Sequence, residues 1–305
     1  MKLSDAIEGY WLDKRLDLSD HTITGYSVIF RRLVTFLGDK SFDQITTTDI
    51  RRFLAYVADE YELGDKSLAN VWICLSSLWT WAEAEMKAAH VIRGKVKRPR
   101  YSTPPVETFS QEEIRALLRA AEYTKEYTAN GGKRTRNRRA TADRDRAIIL
   151  TLLDTGIRAQ ELCDLTIADY DQKRGRLHIR HGKGNKQRFV ILGNRAKKAL
   201  WKYLTERGKA KPGAALFATK TDEHLRRDNL GHMLSTIGDE AGIDTYPHKF
   251  RHTMAITFLR NGGNVLLLKE LLGHESLEMV MLYARIVEQD IDQAGEYSPA
   301  DNWKL

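Results

Sequence analysis

Only two cysteines, Cys74 and Cys163, occur in 305 residues, with no CxxC and no Cys/His cluster. That excludes a disulfide scaffold and argues against a thiolate zinc site, so a reducing cytoplasm is the expected compartment. No stretch approaches the roughly 18 consecutive apolar residues of a membrane span, so no membrane partner is expected. The start of the chain, MKLSDAIEGYWLDKRL, has acidic residues where a signal peptide needs an unbroken apolar run. No cluster of carboxylates suited to magnesium or manganese stands out. Nor does any glycine-rich loop lead into a helix as a nucleotide-binding P-loop would.

What is present is an ordinary globular composition, 42% hydrophobic and 30% charged, too long for one small core. Two domains are the natural expectation. The net charge is +8, and it is unevenly spread. Residues 1–95 carry 12 Lys+Arg against 14 Asp+Glu, a net of −2, whereas the remainder carries 37 against 27, a net of +10. A basic C-terminal two-thirds points to a polyanionic partner, most simply nucleic acid.

Apolar residues recur at helical spacing through the first domain. In SDHTITGYSVIFRRLVTFLG (19–38) a Ser/Asp start precedes Tyr26, Ile29, Leu33 and Phe36, and Gly38 stops the helix. Residues 46–61 and 66–85 repeat the pattern, with Trp72, Trp79 and Trp81 read as core anchors of a small bundle. The stretch RGKVKRPRYSTPPVE (93–107) holds three of the six prolines and five basic residues, a linker composition. It reads equally as a plain hinge and as a strap along phosphates. Residues 1–95 are thus assigned to a helical domain, 96–107 to a linker and 108–305 to a second domain.

That second domain opens with a capping box, Ser110 and Glu113. Residues 123–146, rich in glycine and arginine, read as an exposed loop, with disorder and phosphate contact both left open. A buried helix, a turn at Thr155–Gly156 and a further helix follow over 147–165. GRLHIRHGKGNKQRFVIL (175–192) alternates as two strands about a Gly/Lys turn, a β-hairpin. Beyond Arg195 the chain reads as helical apart from short turns. The fold class is therefore mainly α with a small β-hairpin sheet, the second domain being α+β.

Four stretches of this domain have chemistry to offer a phosphodiester. TGIRAQEL puts Arg158 at a helix start with Glu161 on the same face; alone, such a pair is an ordinary salt bridge. GKGNKQR puts Lys183 between two glycines, where a solvated lysine is the commoner case. HKFRHT sets His248 and Arg251 one turn apart on one face, and His252 is assigned to another face and a structural role. In LLGHESLEMVMLYARI, His274 precedes Tyr283 by nine positions. Arg, Lys, His-x-x-Arg, His and Tyr in one basic unit amount to guanidinium clamps, acid–base groups and a nucleophile. A phosphoryl-transfer site lacking a metal must neutralise charge with such cations.

In this order the motifs TGIRAQEL, GKGNKQR, HKFRHT and LLGHESLEMVMLY resemble the tyrosine recombinase (phage integrase) family, in its two-domain Xer/Cre-like form. The resemblance implies a helical, SAM-like core-binding domain and an α+β catalytic domain. It implies that Arg158 and Arg251 hold the scissile phosphate and that Tyr283 attacks it to give a 3′-phosphotyrosyl intermediate. Lys183 would be the general acid, His248 the base, His274 a phosphate donor and Glu161 a support. It further implies double-stranded DNA recombination sites as substrate, a homo-tetramer on paired sites, an accessory or excision factor, and no cofactor. The expected function is a site-specific recombinase or integrase of a phage or other mobile element. A chromosome-dimer resolvase, a type IB topoisomerase and a catalytically silent DNA-binding relative are the alternatives. The tail 286–305, with Trp303, is read as either a reach toward a neighbouring protomer or a frayed terminus.

Overall fold

The computed structural model describes residues 1–102, 105–128, 134–180, 187–273 and 277–288. Lys183, His274 and the tail from residue 289 lie outside the described residues. The chain divides into two compact units, Met1–Pro104 and Pro105–Leu305.

The first unit is built of four helices: α1 (Leu3–Lys14), α2 (Asp20–Leu37), α3 (Thr47–Glu60) and α4 (Asp65–Met86). Ser19 and Thr46 accept the first free N–H groups of α2 and α3, the capping that a Ser/Thr before an apolar run provides. Tyr10, Phe30, Phe53, Leu75, Leu78 and Trp79 fill the core, and Trp79 stacks on Phe42 at 4.9 Å. Trp81 is also buried, and half-buried Trp72 donates its indole N–H to the Val96 carbonyl at 3.1 Å.

The second unit comprises α5 (Gln111–Glu122), α6 (Ala142–Thr155), α7 (Ala159–Asp164), α8 (Asn194–Arg207), α9 (Arg227–Ala241), α10 (Pro247–Arg260), α11 (Val265–Leu272) and α12 (Glu278–Glu288). The expected hairpin is present as β4 (Arg176–Ile179) paired antiparallel with β5 (Arg188–Ile191), Leu177 facing Val190. A two-residue strand, β3 (Tyr170–Asp171), extends it to three strands, too short for sequence alternation to reveal.

The segment 123–146, expected as a loop, is ordered in its described part. Tyr127–Thr128 (β1) pairs with Arg134–Thr135 (β2), and α6 begins four residues before the segment ends. The physical reason is charge: Arg138 binds Asp143, Arg139 binds Glu240 and Arg146 binds Glu122, so the basic cluster is fastened down by carboxylates. Among the described residues no helix is long and apolar enough to cross a membrane.

Two features position the side chains of TGIRAQEL and HKFRHT. α10 is packed on several sides, with Phe250, Met254, Ala255, Ile256 and Leu259 buried together with Lys249, Arg251 and Thr253. Gly156 ends α6 in the left-handed conformation at φ +58°, turning the chain so that Arg158 opens α7. A Cβ at 156 would meet Leu272 Cδ2 at 3.0 Å and Met254 Sδ at 3.3 Å. Gly156→Ala should therefore lose about 1–2 kcal/mol through the left-handed backbone alone, measured by urea unfolding. Gly25→Ala, in the interior of α2 with open space around it, should instead gain about 0.5–1 kcal/mol.

Candidate active site

Arg158 is brought to the site by the turn after α6, and its backbone N–H donates to Glu161 Oε2 at 2.8 Å. Its guanidinium donates to Glu161 Oε1 at 2.9 Å and to the Gly273 carbonyl at 3.2 Å. Glu161 is buried, and a second arginine, Arg188, grips the same carboxylate with both Nη atoms, at 3.0 and 2.7 Å. Burial alone would raise the Glu161 carboxyl, but the Arg188 fork, the Arg158 N–H and the two guanidinium charges together bring it below its ordinary value.

Arg251 projects from α10 and is buried; it donates to the Gly156 carbonyl at 2.7 Å and to the Leu272 carbonyl at 2.8 Å. Desolvation first, and then the neighbouring Arg158 charge, lowers its pKa to about 10. Arg188 also reaches this terminus, its Nε donating to the Leu271 carbonyl at 2.8 Å. Three guanidiniums thus bind the consecutive carbonyls 271, 272 and 273, where α11 ends and its carbonyls lack helical partners. Gly273 makes this approach possible: a Cβ there would sit 3.0 Å from Arg188 Nη1.

Tyr283 projects from α12 and is 3% exposed. Its hydroxyl lies 2.9 Å from Nδ1 of His252, and the two rings are 5.6 Å apart. Burial raises the phenol pKa, against which the Arg251 charge acts. The expectation that His252 lies on another face of α10 is overturned: i and i+4 share a helix face, and the His248 and His252 rings are 6.2 Å apart. Both histidines titrate below the ordinary value. For His248 partial desolvation leads, followed by the charges of Arg251, Arg158 and Arg227. For His252 burial leads, followed by His248 and Arg251.

The structure therefore gathers Arg158, Glu161, His248, Arg251 and Tyr283, all named from the sequence. It adds two residues that sequence reasoning passed over, His252 and Arg188. Arg188 had a signal: it sits opposite Ile179 in register, on the inward phase of β5 with Val190, where an arginine needs a buried partner. The remaining residues of HKFRHT serve packing. Phe250 is core, Lys249 pairs with Glu107 at 3.4 Å, and Thr253 Oγ1 accepts the Phe109 N–H at 2.9 Å. Among the described residues no group of three His, Cys, Asp or Glu side chains could hold a metal ion.

Glu161→Gln should cost about 3–5 kcal/mol in urea unfolding, since it leaves buried guanidiniums without their counter-charge. Adding Arg188→Gln should cost less than the two single changes summed, which a double-mutant cycle reads directly. Because the folded Glu161 carboxyl is depressed, its contribution is complete above the unfolded value, about 4.3, and fades as pH falls through the folded one.

Comparison with known proteins agrees with this construction. The phage integrase family model matches residues 107–290, and the model for the phage integrase N-terminal SAM-like domain matches residues 7–86. The tyrosine recombinase XerA of Thermococcus kodakarensis is 28% identical over 283 residues, covering 91% of this chain and 89% of the relative. The fold matches the Tn1549 transposon integrase in complex with transposon right-end DNA, with TM-score 0.73 at 19% identity over 96% of this chain and 100% of that one. It also matches a lambda integrase tetramer bound to a Holliday junction, with TM-score 0.69 at 19% identity over 93% of this chain and 77% of that one. The chain belongs to the phage integrase family and is a tyrosine-type site-specific recombinase, an enzyme of DNA strand breakage and rejoining.

Proposed function

We propose that the chain binds double-stranded recombination sites and exchanges their strands through Tyr283. The phenol oxygen attacks the scissile phosphate, giving a 3′-phosphotyrosyl link and a free 5′-hydroxyl. The observation that carries this reading is Tyr283 beside a histidine and beside the Arg251 charge, in a site whose arginines are braced by Glu161. Arg158 and Arg251 bind the non-bridging oxygens, as clustered guanidiniums suit a phosphate whose charge grows during attack. Lys183 protonates the leaving 5′ oxygen and His274 donates to the phosphate; both enter through the motifs that carry them. A histidine of α10 takes the phenol proton: the family motif offers His248 for that part, and His252 shares its helix face.

The covalent link keeps the phosphodiester energy, so rejoining needs neither ATP nor another cofactor. The basic balance of residues 96–305 supports a DNA partner. The tetramer of the related fold supports a homo-tetramer acting on paired sites, with an accessory or excision factor setting direction. The proposed setting is the cytoplasm and the proposed task is movement of a phage or other mobile element. Chromosome-dimer resolution is its rival. An excision assay on sites flanking an element separates the two.

The central test is a nicked suicide duplex built on the site this protein selects from a random duplex pool. Wild type should accumulate a covalent protein–DNA complex in EDTA, and Tyr283→Phe should abolish it while DNA binding persists. A covalent complex with Tyr283→Phe, or its loss in EDTA, would remove the reading. Binding should also fall steeply between 50 and 200 mM salt, by roughly 10³-fold or more if six or more phosphates are contacted.

A further inference from the structure

On this reading of Tyr283 as nucleophile, the geometry points to His252, the residue after the motif arginine, as the base that receives the phenol proton. Among the described contacts it is His252 Nδ1 that meets the hydroxyl, at 2.9 Å. The two rings tilt at 56° with centroids 5.6 Å apart, and Tyr283 is almost fully covered. That is the heavy-atom reach a general base requires. His248, one turn back and exposed, lies among the charges of Arg251, Arg158 and Arg227.

The chemistry balances within the site. As the Tyr283 oxygen forms its bond to phosphorus, its proton passes to Nδ1 and the imidazole becomes imidazolium. The bond from phosphorus to the 5′ oxygen breaks, and that oxygen takes a proton from the acid assigned to Lys183. Rejoining runs the transfers backwards, with the His252 imidazolium returning its proton to the departing phenolate. Nδ1 can accept only when the ring is neutral and carries its hydrogen on Nε2.

Among the described residues, the groups acting on His252 are Tyr283 from α12 and His248 and Arg251 from its own helix; α6 and α11 contribute no charge to it. Burial first, then the charges of His248 and Arg251, lower its pKa below 6.5. His252 is therefore neutral and competent at pH 7, and cleavage fails as pH falls through that lowered value. The same shift makes the imidazolium a stronger acid, which suits the return of the proton.

The test is the single-turnover rate of covalent complex formation on the nicked duplex between pH 5 and 8. Wild type should show an acid limb. His252→Asn, which keeps an acceptor near Nδ1 but cannot take the proton, should lose that limb and cleave about 100-fold more slowly. His248→Asn should keep it. The inference is overturned if His252→Asn matches wild type, or if His248→Asn alone erases the limb. Should the variant not fold, ring ¹⁵N shifts of the wild-type chain decide. An unprotonated Nδ1 at pH 7 that responds to Tyr283→Phe supports the role, and an Nδ1–H tautomer ends it. Failure of the nucleophile reading is separate, because it appears as cleavage by Tyr283→Phe whatever His252 does.

Discussion

Three guanidiniums share one small volume of this protein, and one buried carboxylate makes that tolerable. Arg158, Arg188 and Arg251 lie close together where water screens them poorly, and burial first, then the Arg158 charge, brings Arg251 down to about 10. Glu161 answers two of them directly, and the end of α11 answers all three with carbonyls 271, 272 and 273. The helix terminus needs donors as much as the arginines need acceptors. Each side therefore satisfies a requirement of the other, and a single arrangement fixes the turn after α6, strand β5, helix α10 and the end of α11. A phosphate entering this field meets donors already oriented, so little reorganisation remains at the moment of reaction.

Around that frame, burial and charge pull Tyr283 in opposite directions. Covering the ring raises the phenol pKa, while Arg251 favours the phenolate. The net shift is upward, so the hydroxyl stays protonated at neutral pH and needs a base to act. It becomes effective only where a phosphate and a proton acceptor are both in place.

Much of the fold was legible because helical periodicity is a strong signal over ten or more residues. The bundle helices, the turn at Gly156 and the hairpin are all found where pattern and turn chemistry put them. What escaped was short or relational. β1, β2 and β3 span two residues each, too few for alternation to register. Arg188 reads as one more basic residue after GKGNKQ until its register opposite Ile179 shows it facing inward. His252 shares the His248 face because four residues along α10 make about one turn, a relation that residue type alone does not reveal. Lys183 and His274 were legible only through the family's motifs, because nothing in their local pattern distinguishes them from a solvated lysine and a loop histidine.

The histidine pair on α10 suits a reaction that must run in both directions. Cleavage and rejoining have nearly equal energies when one phosphodiester is exchanged for another, so neither direction can rely on a strong base or a strong acid alone. A base of ordinary strength beside Arg251 would hold its proton against the cation only weakly, and burial weakens that hold further. The depressed titration of both histidines and of Arg251 then has a common origin. Desolvation around α10 lowers all three, and the Gly156 and Leu272 carbonyls hold the Arg251 cation in place.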